Sequence, residues 1–280
     1  MTRIAAILLT FAMPACVRGA AATDGGASGA DGFRVVSLAP SLTEIVFALG
    51  AGGHLAGVTR YCDFPDAARA LPRIGGILDP NLEAIIRLKP ALVLAIVNSG
   101  NSIAVNRLHT LGVHVLALGD RTLADVFDAI DRIGAALERR NAAQLLAQSL
   151  HARIAKVTAE TAKLPAVRAL VVYDREPIVA AGAGTFADEL LHAAHAINVV
   201  PRGPLTYPTL SIEAVASLDP DVIIDAHSHY GATETRGFWK RFTSLRAVRR
   251  DRIRPIDADL LSRAGPRIVD GLEALAKALR

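Results

Sequence analysis

From Phe33 onward, short continuous apolar runs alternate with stretches whose apolar positions recur every three or four residues. The runs RVVSLAP, HLAGVT, ALVLAI and VHVLAL predict buried strands, and SLTEIVFALG, LEAIIRLK and residues 101–111 predict the helices between them. Strand and helix in regular succession specify a parallel sheet with helices on both faces. In the first helix Ser41 is placed to cap and Glu44, three residues on, completes a capping box, while Gly50 supplies the stop.

The stretch from Thr122 to Leu164 has apolar residues at helical spacing, many alanines and no proline until Pro165. A break is expected at RRN (139–141), where Asn141 caps a second helix running to Lys163, on the order of 34 Å long at 1.5 Å per residue. After Pro165 the alternation restarts. Strand ALVVYD, turn AAGAG, helix TFADELLHAAHA, strand NVV, loop PRGPLTYPTL, helix IEAVASLD, strand DVIIDA, a helix over 236–246, strand RIRPID and a closing helix from Pro266 to Leu279 follow in order. The fold class expected is α/β, with two similar lobes. The boundaries are a signal peptide at 1–22, a flexible linker at 23–32, an N-terminal lobe at 33–138, a connecting helix at 139–164 and a C-terminal lobe at 165–280.

One unit is written twice. LEAIIRLKPALVLA begins at Leu82 and IEAVASLDPDVIIDA at Ile212, so that Glu83 matches Glu213, Leu88 matches Leu218 and Pro90 matches Pro220. Asn81 and Ser211 precede the two helices as good N-caps, which puts each glutamate in a first helical turn, where a negative charge favours the helix dipole. The same placement presents both glutamates for an arginine on another protein.

Composition narrows the function. The 280 residues are 51% hydrophobic with a net charge of +4, and apart from RRDR at 249–252 the basic residues are scattered, which argues against a nucleic-acid partner. MTRIAAILLTFAMPAC has one early positive charge, an apolar run from Ile4 to Met13 and then small residues, the layout of an export signal. The protein is therefore expected in the periplasm, either cleaved near Ala20 to Ala22 and released, or lipid-anchored at Cys16. Cleavage leaves Cys62 alone, so no internal disulfide is expected.

SLAPSLTEIVFALG, the segment YCDFPDAARALPRIGGILDPNLEAIIRLKPALVLA, and DADLLSRAGPRIVDGLEALAKAL closely resemble the periplasmic cobalamin-binding proteins that feed ABC importers. The resemblance spans residues 33–279, and haem and ferric-siderophore binding proteins share the architecture. It implies two Rossmann-like lobes with parallel-type sheets, joined by a single long helix, with the ligand in the cleft between them. It also implies a monomer that performs no catalysis, has no catalytic cofactor and docks on a permease dimer through Glu83 and Glu213. For the ligand it implies cobalamin or a related corrinoid, with haem as the alternative. Tyr61 matches a ring-stacking tyrosine, Tyr207 falls where a well-known family member carries a tryptophan, and Asp259 matches an acidic ligand contact; Cys62 and Asp63, beside Tyr61 in the same YCDFP block, are expected ligand contacts as well. Three other aromatic positions of that family member are aliphatic here, at Ile77, Ile96 and Val179.

Outside those blocks, His227 and His229 in DAHSHYG follow a strand, where loops of an open α/β sheet meet ligands. With Asp225 nearby they suggest a ligand contact or, in a separate reading, a metal-dependent enzyme. Gly182, Gly184 and Ala187 outline a dinucleotide fingerprint, but no acidic residue follows at the required distance, so the glycines are read as a tight strand-to-helix turn. Cys62 is either a soft ligand or a buried small hydrophobe, and Trp239 is expected to pack a helix of the second lobe.

Overall fold

The computed structural model describes residues 32–97, 100–226 and 232–280. The first lobe runs β1 (Val35–Ser37), α1 (Pro40–Ala48), β2 (Leu55–Val58), α2 (Leu82–Arg87), β3 (Leu92–Ile96), α3 (Ser102–Thr110) and β4 (Val115–Leu118). Its four strands form a wholly parallel sheet in the order β2-β1-β3-β4. The side chains of β3 show why a continuous apolar run is needed. Leu92, Leu94 and Ile96 enter the core on one face, while Val93 and Ala95 enter a separate core on the other.

Two helices follow, α4 (Leu123–Ala136) and α5 (Arg140–Thr161). The 22 residues of α5 span about 33 Å. Asn141 lies inside this helix rather than capping it, because α5 begins one residue earlier at a turn in which Glu138 takes a positive φ of 56°. Thr122, by contrast, caps α4 in a complete capping box with Asp125.

The second lobe contains β5 (Val167–Arg175), β6 (Ile178–Ala180), α6 (Phe186–Ala193), β7 (Ala196–Asn198), β8 (Thr209–Leu210), α7 (Ile212–Leu218), β9 (Val222–Asp225), α8 (Ala232–Lys240), α9 (Arg246–Arg249), β10 (Ile253–Pro255), α10 (Ala258–Ser262) and α11 (Ile268–Leu279). Its sheet has the order β10-β9-β5-β6-β8, with β7 also on β5. Strands β10, β9, β5 and β7 are parallel, whereas β6 runs antiparallel to both its neighbours. The helix expected over 236–246 is two helices, interrupted between Lys240 and Arg246. The turn before α6 is the tight one expected: Gly184 has a φ of +84°, and a Cβ on Gly182 would stand 2.8 Å from the Thr206 carbonyl oxygen.

The largest core is shared by the lobes. It joins Leu42 and Ile45 of α1, Ile130 and Ile133 of α4, Leu150 and Val157 of α5, Leu190 of α6 and Leu272 and Leu275 of α11. The two sheets are therefore held against a common layer of helices.

Candidate functional site

In an open α/β sheet the crevice outside the carboxyl ends of the parallel strands is where ligands bind. A cavity of about 270 Å³ occupies that place, reached by Pro40 after β1, Tyr61 after β2, Ile96 at the end of β3, Asp120 after β4 and, from the other lobe, Asp259 and Arg263 of α10. Ile77 also lines it, so two of the three aliphatic replacements form its wall; Val179 lies in β6.

The aromatic surface is divided between the lobes. Tyr61 is 50% exposed and Phe64 45%, the first with the Arg60 guanidinium 5.7 Å from its ring centroid and the second with Arg267 at 4.3 Å. On the second lobe Tyr207 is 49% exposed and meets Tyr173 edge-on, with centroids 5.9 Å apart. Tyr173 is in turn anchored, its hydroxyl donating to the Leu261 carbonyl in α10 at 2.8 Å. Burial pushes the Tyr173 hydroxyl far above its ordinary range. Burial and the Asp120 carboxylate raise that of Tyr207, which places Asp120 in electrostatic reach of the second lobe's ring.

Charge is concentrated at the seam between α1 and the α10–α11 segment. Glu44 is 2% exposed in its side chain and accepts two hydrogen bonds from Arg267, at 2.9 Å from Nε and 2.7 Å from Nη2. Arg263 reaches Asp63 at 2.7 Å, Asp259 at 2.8 Å and Glu44 at 3.4 Å. Burial raises the Asp63 carboxyl, but the Arg263 hydrogen bond and charge outweigh it and the net shift is downward. For Asp259 burial prevails: its carboxyl is raised despite Arg263, with Asp257 and Asp63 adding to the rise.

This seam corrects the reading of the first helix. Pro40 takes the first turn of α1, Ala39 is the N-cap without a side-chain bond, and Ser41 lies within the helix. Glu44 is thus no capping partner; it is the acceptor at the centre of the inter-lobe cluster.

The other predicted residues separate clearly. Asp63 and Asp259 meet through Arg263, and Tyr61 and Asp259 share the cavity. Cys62 must be withdrawn from the ligand contacts: it is fully buried in the core, its sulfur held by Thr43 and Thr59 at 3.2 and 3.1 Å. Its reading as a small buried hydrophobe stands. His227 and His229 lie outside the described residues. Asp225 does not suit a metal, because its carboxylate receives Arg175 at 2.9 and 3.2 Å and the Trp239 indole N–H at 2.6 Å. Trp239 itself is fully buried in the second lobe's core. Among the described residues no group of three or more His, Cys, Asp or Glu is placed to hold a metal ion.

The repeated unit has the same construction twice. Asn81 accepts from the Ala84 N–H at 3.0 Å and Ser211 from the Ala214 N–H at 3.2 Å. Glu83 and Glu213 are both exposed in the first turns of α2 and α7, and among the described residues neither has a cationic partner. The Glu213 carboxyl is lowered, by its own backbone N–H and by the Ser211 hydroxyl.

Sequence reasoning passed over Asp120, Glu44 as a seam residue, Arg263 and Arg267. Asp120 had a signal, since it stands two residues after a predicted parallel strand, at the ligand-binding end.

The model of a family described as "Periplasmic binding protein" matches residues 35–260. YvrC, an ABC transporter substrate-binding lipoprotein of Bacillus subtilis, is 30% identical over 254 residues, covering 88% of this chain and 79% of its own. Among solved structures, the periplasmic vitamin B12 binding protein BtuF of Vibrio cholerae has a TM-score of 0.81 at 28% identity, covering 88% of this chain and 96% of its own. A periplasmic haem-binding protein of Pseudomonas aeruginosa superposes with a TM-score of 0.79, also at 28% identity, over 88% of this chain and 92% of its own.

Proposed function

The chain belongs to the periplasmic binding protein family, and from that premise we propose that it is an extracytoplasmic solute-binding protein that captures cobalamin or a related corrinoid and delivers it to an ABC import permease. The family consists of binding proteins rather than catalysts. The observation that carries the ligand assignment is the pair of half-exposed tyrosines, Tyr61 lining the strand-end cavity and Tyr207 on the other lobe within electrostatic reach of Asp120, which lines the same cavity. Two such rings offer flat faces to a macrocycle, and the vitamin B12 binding protein of Vibrio cholerae has the same fold. Asp259 and main-chain groups then meet the ligand's polar periphery. Haem is the second reading, favoured by the equal identity to the haem-binding structure from Pseudomonas aeruginosa.

Residues 1–22 act as the export signal and 23–32 as a linker, with Cys16 the site of a lipid anchor if the leader is processed there. Residues 33–138 and 165–280 are the two lobes and 139–164 the helix connecting them; the protein works as a monomer. Delivery uses Glu83 and Glu213, equivalent exposed corners free to meet arginines of a two-fold permease. In a reconstituted importer, Glu83→Arg or Glu213→Arg should abolish docking and uptake while ligand affinity and melting temperature stay at wild-type values. If uptake survives both substitutions, or falls only in step with folding, the glutamates are helix-terminal charges alone.

A further inference from the structure

The cleft holds a carboxylate on each wall, and their surroundings differ. Asp259, on the second lobe, is paired with Arg263 at 2.8 Å. Asp120, on the first lobe, lines the same cavity and forms no ion pair among the described residues. The charged groups around it are Arg121, exposed beside it, and Asp125 at the start of α4. Burial and the Asp125 charge raise the Asp120 carboxyl, and Arg121 does not overcome them. Arg263, the arginine among the described residues that line the cavity, is already engaged by Asp63, Asp259 and Glu44, and Arg267 in the same seam is engaged by Glu44. A ligand entering beside Tyr61 therefore meets carboxylate acceptors from both lobes and, among the described residues that line the cavity, no guanidinium without a carboxylate partner.

An ionised carboxylate only accepts hydrogen bonds, and a primary carboxamide supplies two N–H donors. A ligand carboxylate supplies none and adds a like charge beside Asp120 and Asp259. We propose that Asp120, together with Asp259 on the opposite wall, is a specificity-determining residue that selects macrocyclic chelates with carboxamide peripheries and discriminates against those with carboxylate peripheries. This rests on the corrinoid-carrier reading above and deepens it.

The test uses cyanocobalamin and its three monocarboxylic acids, each with one peripheral propionamide hydrolysed, titrated calorimetrically into the exported protein, Asp120→Asn and Asp120→Ser. For the wild type at least one monoacid should bind about tenfold more weakly than the parent, and in both variants that ratio should fall to within about threefold. The inference is overturned if all three monoacids bind the wild type as tightly as the parent or more tightly, as Arg121 would permit, or if the ratio is the same in both variants. Haemin binding tightly while cyanocobalamin does not would overturn it and leave the haem alternative. If the wild type binds none of these chelates, the carrier reading itself fails.

Discussion

Removing the Glu44 carboxylate tests how the two lobes are held. Glu44→Gln keeps the size of the side chain but withdraws the charge that Arg267 meets at 2.7 and 2.9 Å across 223 residues of sequence. Breaking a buried pair by deleting one partner destabilises by about 3–5 kcal/mol. The lower end applies here for two reasons. Arg263 keeps Asp63 and Asp259, so only Arg267 loses its carboxylate, and the Arg267 side chain, 19% exposed and stacked 4.3 Å over Phe64, retains a route to water. The expected loss is about 3 kcal/mol, a large part of the roughly 5–15 kcal/mol that a native protein has in total. Urea unfolding should show the midpoint falling with little change in slope. Combining Glu44→Gln with Arg267→Met should recover at least about 1 kcal/mol relative to the sum of the single changes, since the double variant no longer leaves a guanidinium alone. Single variants within about 0.5 kcal/mol of wild type, or strict additivity, would refute the view that this pair holds the seam.

Other expectations follow from the same contacts. Asp225→Asn removes the charge shared by Arg175 and Trp239; stability should fall by about 3 kcal/mol or more, with a red shift of the Trp239 emission, and an unchanged spectrum would contradict the contact. Asp221 has burial raising its carboxyl, but the Arg246 hydrogen bond, the Arg168 N–H and the charges of Arg246 and Arg250 bring it below the ordinary value of 3.8. Its stabilising contribution is then present above that value and lost as pH falls through the lower folded one, so the stability gap between wild type and Arg246→Gln should be constant near neutrality and shrink below about pH 4; a gap that widens on acidification would reverse the sign. Tyr61→Ala and Tyr207→Ala should each weaken ligand binding roughly three- to tenfold by calorimetry, and no loss in either would remove the stacking argument.

Local chemistry made much of the fold legible. Asn81 and Ser211 cap their helices, Gly50 ends α1 at a φ of +68°, and the apolar run of β3 serves two cores. Where local signals compete, the reading went astray. Ser41 and Glu44 have the spacing of a capping box, but a proline is suited to the first helical turn, so Pro40 begins the helix and frees Glu44 for a partner that no local pattern reveals. Strands β6 and β8, of three and two residues, and α10, of five, are too short to have a period. In the cleft, Tyr61 and Asp259 were readable through family resemblance, while the approach of Asp63 and Glu44 to Arg263 depends on the meeting of segments 200 and 219 residues apart. Cys62 shows the converse: its neighbour Tyr61 faces the cleft, and one residue later the chain has turned into the core.

The measurement that bears most directly on the account is a titration of the exported protein with cyanocobalamin and, in parallel, haemin, followed by visible absorption and by the fluorescence of Trp239. Saturable one-to-one binding of cyanocobalamin, with no new Soret band beyond that of free haemin, is the predicted result. A new Soret band with haemin, distinct from that of free haemin, and no response to cyanocobalamin would contradict it, leaving the two-lobe fold in place and assigning the cleft to a different chelate.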